Sequence, residues 1–173
     1  MSTRKLAVVV ACLTSGVVAI AADSPGLGQP VDAETLANID YTILPDGNGL
    51  PAGSGTAADG AKVYAEKCIA CHGEGGTGGV NDALVGGIGS LASGSPNKTV
   101  GSYWPYATTV FDYVRRAMPM QAPGTLSSDE IYAVSAYILF LNGIVEGDAE
   151  MTAETLPMVK MPNRDGFVWD YSP

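Results

Sequence analysis

Three stretches of the chain space their apolar side chains with a helical period. The clearest begins at Ser127-Ser128-Asp129-Glu130, where a serine three residues ahead of a glutamate forms a capping box. Ile131, Val134, Ile138 and Leu141 follow at helical spacing, and Asn142-Gly143 supplies a natural stop. A second helix is predicted over about 107–117, with Val110, Phe111, Val114 and Ala117 along one face. A third runs from about Ala57 to Ala70, with Asp59 in its first turn and Ala61, Val63, Tyr64 and Ala65 free to pack. Between the helices, residues 73–94 hold nine glycines in 22 positions, which marks a loop. No run reads as a convincing strand. The expected fold class is all-α, with long Gly-rich loops.

The ends follow different rules. Arg4 and Lys5 precede an apolar run from Leu6 to Ile20, and Ala19-Ile20-Ala21 offers a small-residue cleavage site, so residues 1–21 read as a cleaved signal peptide. The run is too short and wrongly flanked for a transmembrane helix, so no membrane insertion is expected. Val9-Val10-Ala11-Cys12 only loosely resembles a lipoprotein box. Residues 22–56, rich in Gly and Pro, read as an extended N-terminal arm, residues 57–143 as the central domain, and residues 144–173 as a C-terminal wrapping tail. Export to the periplasm follows from the signal.

Composition removes several function classes. With 18 acidic against 9 basic side chains, the chain has no basic face for nucleic acid. The charge is also uneven. Residues 22–56 carry five acids and no base, residues 57–126 carry five of each, and residues 127–173 carry eight acids with only Lys160 and Arg164. Acidic flanks serve solubility, and the neutral middle is free to be a docking face.

The chemistry sits in that middle, at Cys68-Ile69-Ala70-Cys71-His72. Two cysteines three apart, with histidine directly after the second, is the spacing of covalent c-type haem attachment. One helical turn presents both sulfurs to the vinyl edge of the porphyrin, and the next residue turns its imidazole under the iron. The rival readings are weaker. A thioredoxin-like pair needs a βαβ setting, a zinc site needs a fourth ligand, and a disulfide would leave His72 unexplained. One covalently attached haem c is therefore expected.

With a single histidine in the chain, the sixth iron ligand falls to a methionine. Met118 precedes Pro119, which disfavours the α region for its predecessor, so the helix must end there and Met118 lands on the following loop. Met120, two residues on, competes. His72/Met118 coordination raises the potential and closes the iron to substrate, as electron transfer requires. An iron open to ligands, as in a haem enzyme or gas sensor, is the reading from another class. Trp104 and Tyr106 flank Pro105 ahead of the ligand-bearing helix and are candidates to pack on the porphyrin or to bond a propionate. Arg115 and Arg116 read as a solvated helix end or as a propionate or partner contact.

Gly60, Tyr64, Cys68-x-x-Cys71-His72-Gly73, Met118-Pro119, Leu126-Ser127, Glu130-Ile131 and Ala136-Tyr137-Ile138 together resemble a monohaem cytochrome c of the mitochondrial and bacterial type. In that family the first and last helices cross near a small glycine and stacked aromatics, which implies packing roles for Gly60, Tyr64 and Tyr137. A narrower resemblance covers nearly the whole mature chain. Val100 to Thr109, Arg115 to Pro119, Leu50 to Thr56 and Leu156 to Phe167 are similar to the haem subunits of sulfite or sulfur dehydrogenases of the sulfur-oxidation system. Some members carry two haem domains, whereas this chain holds one motif. The resemblance implies no catalytic residue here. It implies a one-electron carrier that takes electrons from a molybdenum-cofactor dehydrogenase subunit and passes them to a downstream cytochrome. The alternative is a free-standing carrier that serves a terminal oxidase.

Overall fold

The computed structural model describes residues 27–168 and Asp170, in two compact units divided between Ala37 and Asn38. The expected signal peptide, 1–21, lies outside the described residues, as do residues 22–26 of the expected arm. The first unit differs from the extended form expected of it, because it begins α1 (Ala33–Ile39). The Thr35 amide donates to Asp32 Oδ1 at 2.8 Å, so an aspartate cap starts a run of good helix formers despite the Gly and Pro nearby.

The second unit contains β1 (Ser54–Thr56), α2 (Ala57–Lys67), α3 (Ile69–His72), α4 (Val100–Tyr103), α5 (Ala107–Ala117), α6 (Ser128–Leu141) and β2 (Glu150–Thr152). The all-α expectation holds, since helices supply the core. The two strands are three residues each, paired antiparallel with Gly55 opposite Met151. Segments so short carry no alternation to read, and pairing between the front and the back of the chain leaves no local signal.

Helix α6 is the centre. Tyr132, Ala136 and Leu139 are fully buried, and Phe111 of α5 stacks on Tyr132 with ring centroids 4.5 Å apart. The expected capping box is present, with Ser127 accepting from the Glu130 amide and Glu130 accepting from that of Ser127. Its hydrogen bonds to Ser127 hold the Glu130 carboxyl below the ordinary range. Helix α2 meets α6 at Gly60, where an added Cβ would stand 1.9 Å from the Ala133 carbonyl oxygen. Tyr64, one turn on, packs against Tyr137 at 5.4 Å.

Two local differences from the expected helices bear on function. The helix expected to reach Ala70 breaks at Cys68 (φ −121°, ψ −36°) and restarts as α3. The short α4 was not foreseen, although Thr99 and Ser102 cap each other's backbone as a box with serine in the glutamate position.

The end of the arm, at Pro51 and Ser54, and the tail both lie against the domain. Tyr132 Oη donates to the Pro51 carbonyl at 2.8 Å, and the Ser54 amide donates to Asp129 Oδ1 at 2.8 Å. Met151, Leu156 and Met161 of the tail are buried in the core.

Replacing Gly60 by alanine opposes two effects. Helix propensity gains about 1 kcal/mol, whereas overpacking at a rigid backbone carbonyl costs about 3 kcal/mol. The Gly60→Ala protein should therefore lose about 2 kcal/mol of stability in denaturant unfolding.

Candidate functional site

One cleft gathers the residues singled out by the motif. It is lined by Cys68, Cys71, His72, Trp104, Met118 and Met120, with Leu84, Val100, Val134 and Ile138 among its apolar walls. Both cysteines are free thiols. Burial, and secondarily the neighbouring Cys71, pushes the Cys68 thiol up to about 11, so it is protonated at neutral pH.

The turn after the motif is built by backbone. Gly73 has φ +76°, and a Cβ there would meet the Gly78 carbonyl oxygen at 2.1 Å, so the loop can fold back only over a glycine. The Gly78 amide donates to the His72 carbonyl at 2.9 Å, and the Asn81 amide donates to that of Cys71 at 2.9 Å. The reversal delivers the Asp82 carbonyl to His72 Nδ1 at 2.9 Å. A carbonyl can only accept, so Nδ1 carries the proton and Nε2 is left as a free lone pair.

The opposite element ends as Pro119 demands. Met118 caps α5 in extended conformation (φ −121°, ψ 145°), half-buried against the core. Met120 also lines the cleft but is 60% exposed. Trp104 caps α4, lines the cleft and stands edge-on to Tyr113 at 5.6 Å. Tyr106 is not among the lining residues. Its ring lies 4.3 Å beneath the Arg164 guanidinium. The arginines point elsewhere too, Arg115 over the Tyr41 ring at 4.9 Å and Arg116 to Asp112 at 2.7 Å.

Several contributors were not legible in the sequence. The Asp82 contact uses a backbone carbonyl, which carries no side-chain signal. Asn142, read only as a helix stop, is buried and ties the loop at Leu84–Gly86 to the end of α6. Its Nδ2 donates to the Leu84 and Ile138 carbonyls at 3.2 and 2.9 Å, and its Oδ1 accepts from the Gly86 amide at 3.1 Å. Leu84 and Val100 are thereby held at the cleft wall.

Comparison with known proteins agrees with this geometry. The family model described as Cytochrome C oxidase, cbb3-type, subunit III matches residues 55–138. A chain in the crystal structure of the sulfane dehydrogenase SoxCD from Paracoccus pantotrophus is 44% identical, with a TM-score of 0.80, over 85% of this chain and 73% of that one. The chain belongs to the c-type cytochrome family. The cbb3-type cytochrome c oxidase subunit FixP of Bradyrhizobium sp. (strain ORS 278) is 32% identical over 125 residues. That alignment spans 68% of this cytochrome and 38% of the relative's length.

A c-type cytochrome carries covalently bound haem iron and transfers electrons. The donor set fits that group: two thiols at motif spacing, an imidazole with one nitrogen already engaged, and thioethers on a separate wall of an apolar cleft. Among the described residues, no helix is long and apolar enough to cross a membrane.

Tyr64 links the site to the crossing, its phenol donating to the Gly73 carbonyl at 2.8 Å. Burial pushes Tyr64 and Tyr132 up from 10.0 to about 12. Between those values the unfolded chain has released phenolic protons that the folded chain retains, so stability falls as pH rises through that window. A spectrophotometric titration of the cytochrome should show these two phenols ionising last, and the denaturant midpoint should drop between about pH 10 and about pH 12.

Proposed function

We propose that this cytochrome is a periplasmic one-electron carrier, exported after removal of residues 1–21 and holding one haem c in the domain over 57–143. Cys68 and Cys71 form the thioether links, His72 Nε2 is the proximal ligand and Met118 Sδ the distal one. The carrying observation is the cleft itself, which gathers both thiols, the Nδ1-anchored imidazole and the half-buried Met118. Burial favours Met118 over the exposed Met120, because a ligand fixed by core packing does not spend side-chain entropy on reaching the metal.

When bound, the haem iron supplies the chemistry by alternating between Fe(III) and Fe(II). The chain's residues do the rest. The Asp82 carbonyl fixes the His72 tautomer and ring orientation. Val100, Val134, Ile138 and Leu84 exclude water from the cleft, which favours the less charged state of the site and raises its potential. Among the described residues, the cleft side chains serve to hold and shield the haem rather than to perform bond chemistry on a substrate.

The donor in this reading is a molybdenum-cofactor subunit that oxidises a sulfur compound, and the acceptor is a downstream cytochrome. The 44% identity to a chain of the sulfane dehydrogenase SoxCD supports a sulfur dehydrogenase partner over a free-standing carrier. It also widens the substrate from sulfite to sulfane sulfur.

Two experiments test these assignments. Met118→Ala should convert a low-spin haem that resists carbon monoxide into a ligand-accessible one; an unchanged spectrum moves the ligand to Met120. The native protein, purified gently and anaerobically with its bound partner, should show rapid haem reduction by a sulfur donor, lost when the partner is stripped. Reduction by dithionite but by neither sulfite nor sulfane sulfur would remove the sulfur dehydrogenase assignment.

A further inference from the structure

Trp104 is held in the cleft from outside its own helix. Helix α4 has four residues, too few to be stable alone, and its last carbonyls need partners beyond the helix. Pro105 follows and offers no N–H, and as the residue before proline Trp104 takes extended conformation (φ −73°, ψ 128°). The partner comes from the C-terminal tail. Asn163 Nδ2 donates to the Tyr103 carbonyl at 2.7 Å.

The same few tail residues grip both neighbours of the Trp104-Pro105 pair. The Tyr103 ring stands edge-on to Phe167 at 5.3 Å, with Lys98 on it at 5.0 Å. The Tyr106 ring carries the Arg164 guanidinium at 4.3 Å. The grip is itself rigid at its root. Met161 is buried, the Arg164 amide donates to its carbonyl at 3.0 Å, and the Gly166 amide donates to that of Asn163 at 3.2 Å. Between the gripped residues, the Trp104 indole lines the cleft and braces Tyr113, which lines it too.

We propose that the segment from Asn163 to Phe167 is a clamp that positions Trp104 as a wall of the haem cleft, with Asn163 its principal positioning residue. The tail thereby controls how closed the cleft is to small ligands, a role distinct from docking a donor enzyme. The inference rests on the reading that haem occupies this cleft with Met118 as its distal ligand.

The test uses the full-length haem-bearing protein in the ferric state, titrated with imidazole as competitor for the distal position. Asn163→Ala removes one partly buried hydrogen bond, and imidazole should bind about fivefold more tightly. Arg164→Ala, at an exposed residue whose loss cannot unfold the chain, should give about a twofold gain. Met158→Ala, on an exposed tail residue outside the clamp, should change nothing. In a Trp104→Ala background, Asn163→Ala should add no further gain, because the wall it positions is gone.

A lowered unfolding midpoint with unchanged imidazole affinity in both clamp variants would make the tail merely structural and overturn the proposal. Unchanged affinity with slower electron uptake from the donor would overturn it in favour of docking. A wild-type protein already high-spin and freely bound by imidazole would overturn the distal ligation first, and the clamp with it. A low-spin wild type with unresponsive variants would overturn the clamp alone.

Discussion

Everything in the haem domain depends on how closely α2 can approach α6. At Gly60 the two backbones are separated by less than a side chain would need, with the Ala133 carbonyl where a Cβ would sit. That contact fixes α2 against the buried spine of the domain. Because α2 runs directly into Cys68 and α3, it also fixes where both thiols and His72 stand relative to Val134 and Ile138. The Tyr64 phenol extends the constraint by one more link, from the crossing to the Gly73 carbonyl. Helix packing and cofactor geometry are thus one problem, solved at a glycine.

The proposed proximal ligand shows how backbone tunes a metal site. His72 donates to a neutral carbonyl at 2.9 Å rather than to a carboxylate. A carboxylate would draw the imidazole toward imidazolate character and favour Fe(III), whereas a carbonyl does so much less. The choice works in the same direction as the apolar cleft and the proposed thioether ligand, toward a higher potential. Asn142 contributes at a distance by holding Leu84 at the wall, so a residue at the far end of α6 shares in closing the site.

What could be read from the sequence divides along the reach of the interaction. The capping box at Ser127, the stop at Asn142, the end of α5 before Pro119 and the haem motif are all set within a few residues, and each is legible. The capping of α1 by Asp32 and of α4 by Thr99 was equally local, and was hidden only by the Gly and Pro around it. The strands, the Asp82 carbonyl and the bond from Asn163 to Tyr103 are different in kind. They join residues far apart or use backbone atoms that every residue shares, so nothing in the local pattern announces them. Tyr106 illustrates the limit. An aromatic beside the ligand-bearing helix suggested a cofactor contact, and nothing local announced the cation 58 positions away that lies on its ring.

The same division explains why the tail is the informative part of this chain. A short helix such as α4 cannot fix an indole by propensity, and a proline after it removes a backbone donor that might have helped. The position of Trp104 must then be set by a distant segment, and no local pattern in that segment announces the contact. Asn163, Arg164 and Phe167 belong to a tail expected only to wrap a surface, and it is the fold that places them on Tyr103 and Tyr106. Closing a cofactor cleft with a terminal segment separates two demands on one domain. The core helices hold the ligands in a geometry that tolerates little change, while the tail sets access to them through a few half-exposed contacts worth about 1 kcal/mol each. Contacts of that size can be altered without disturbing the crossing at Gly60.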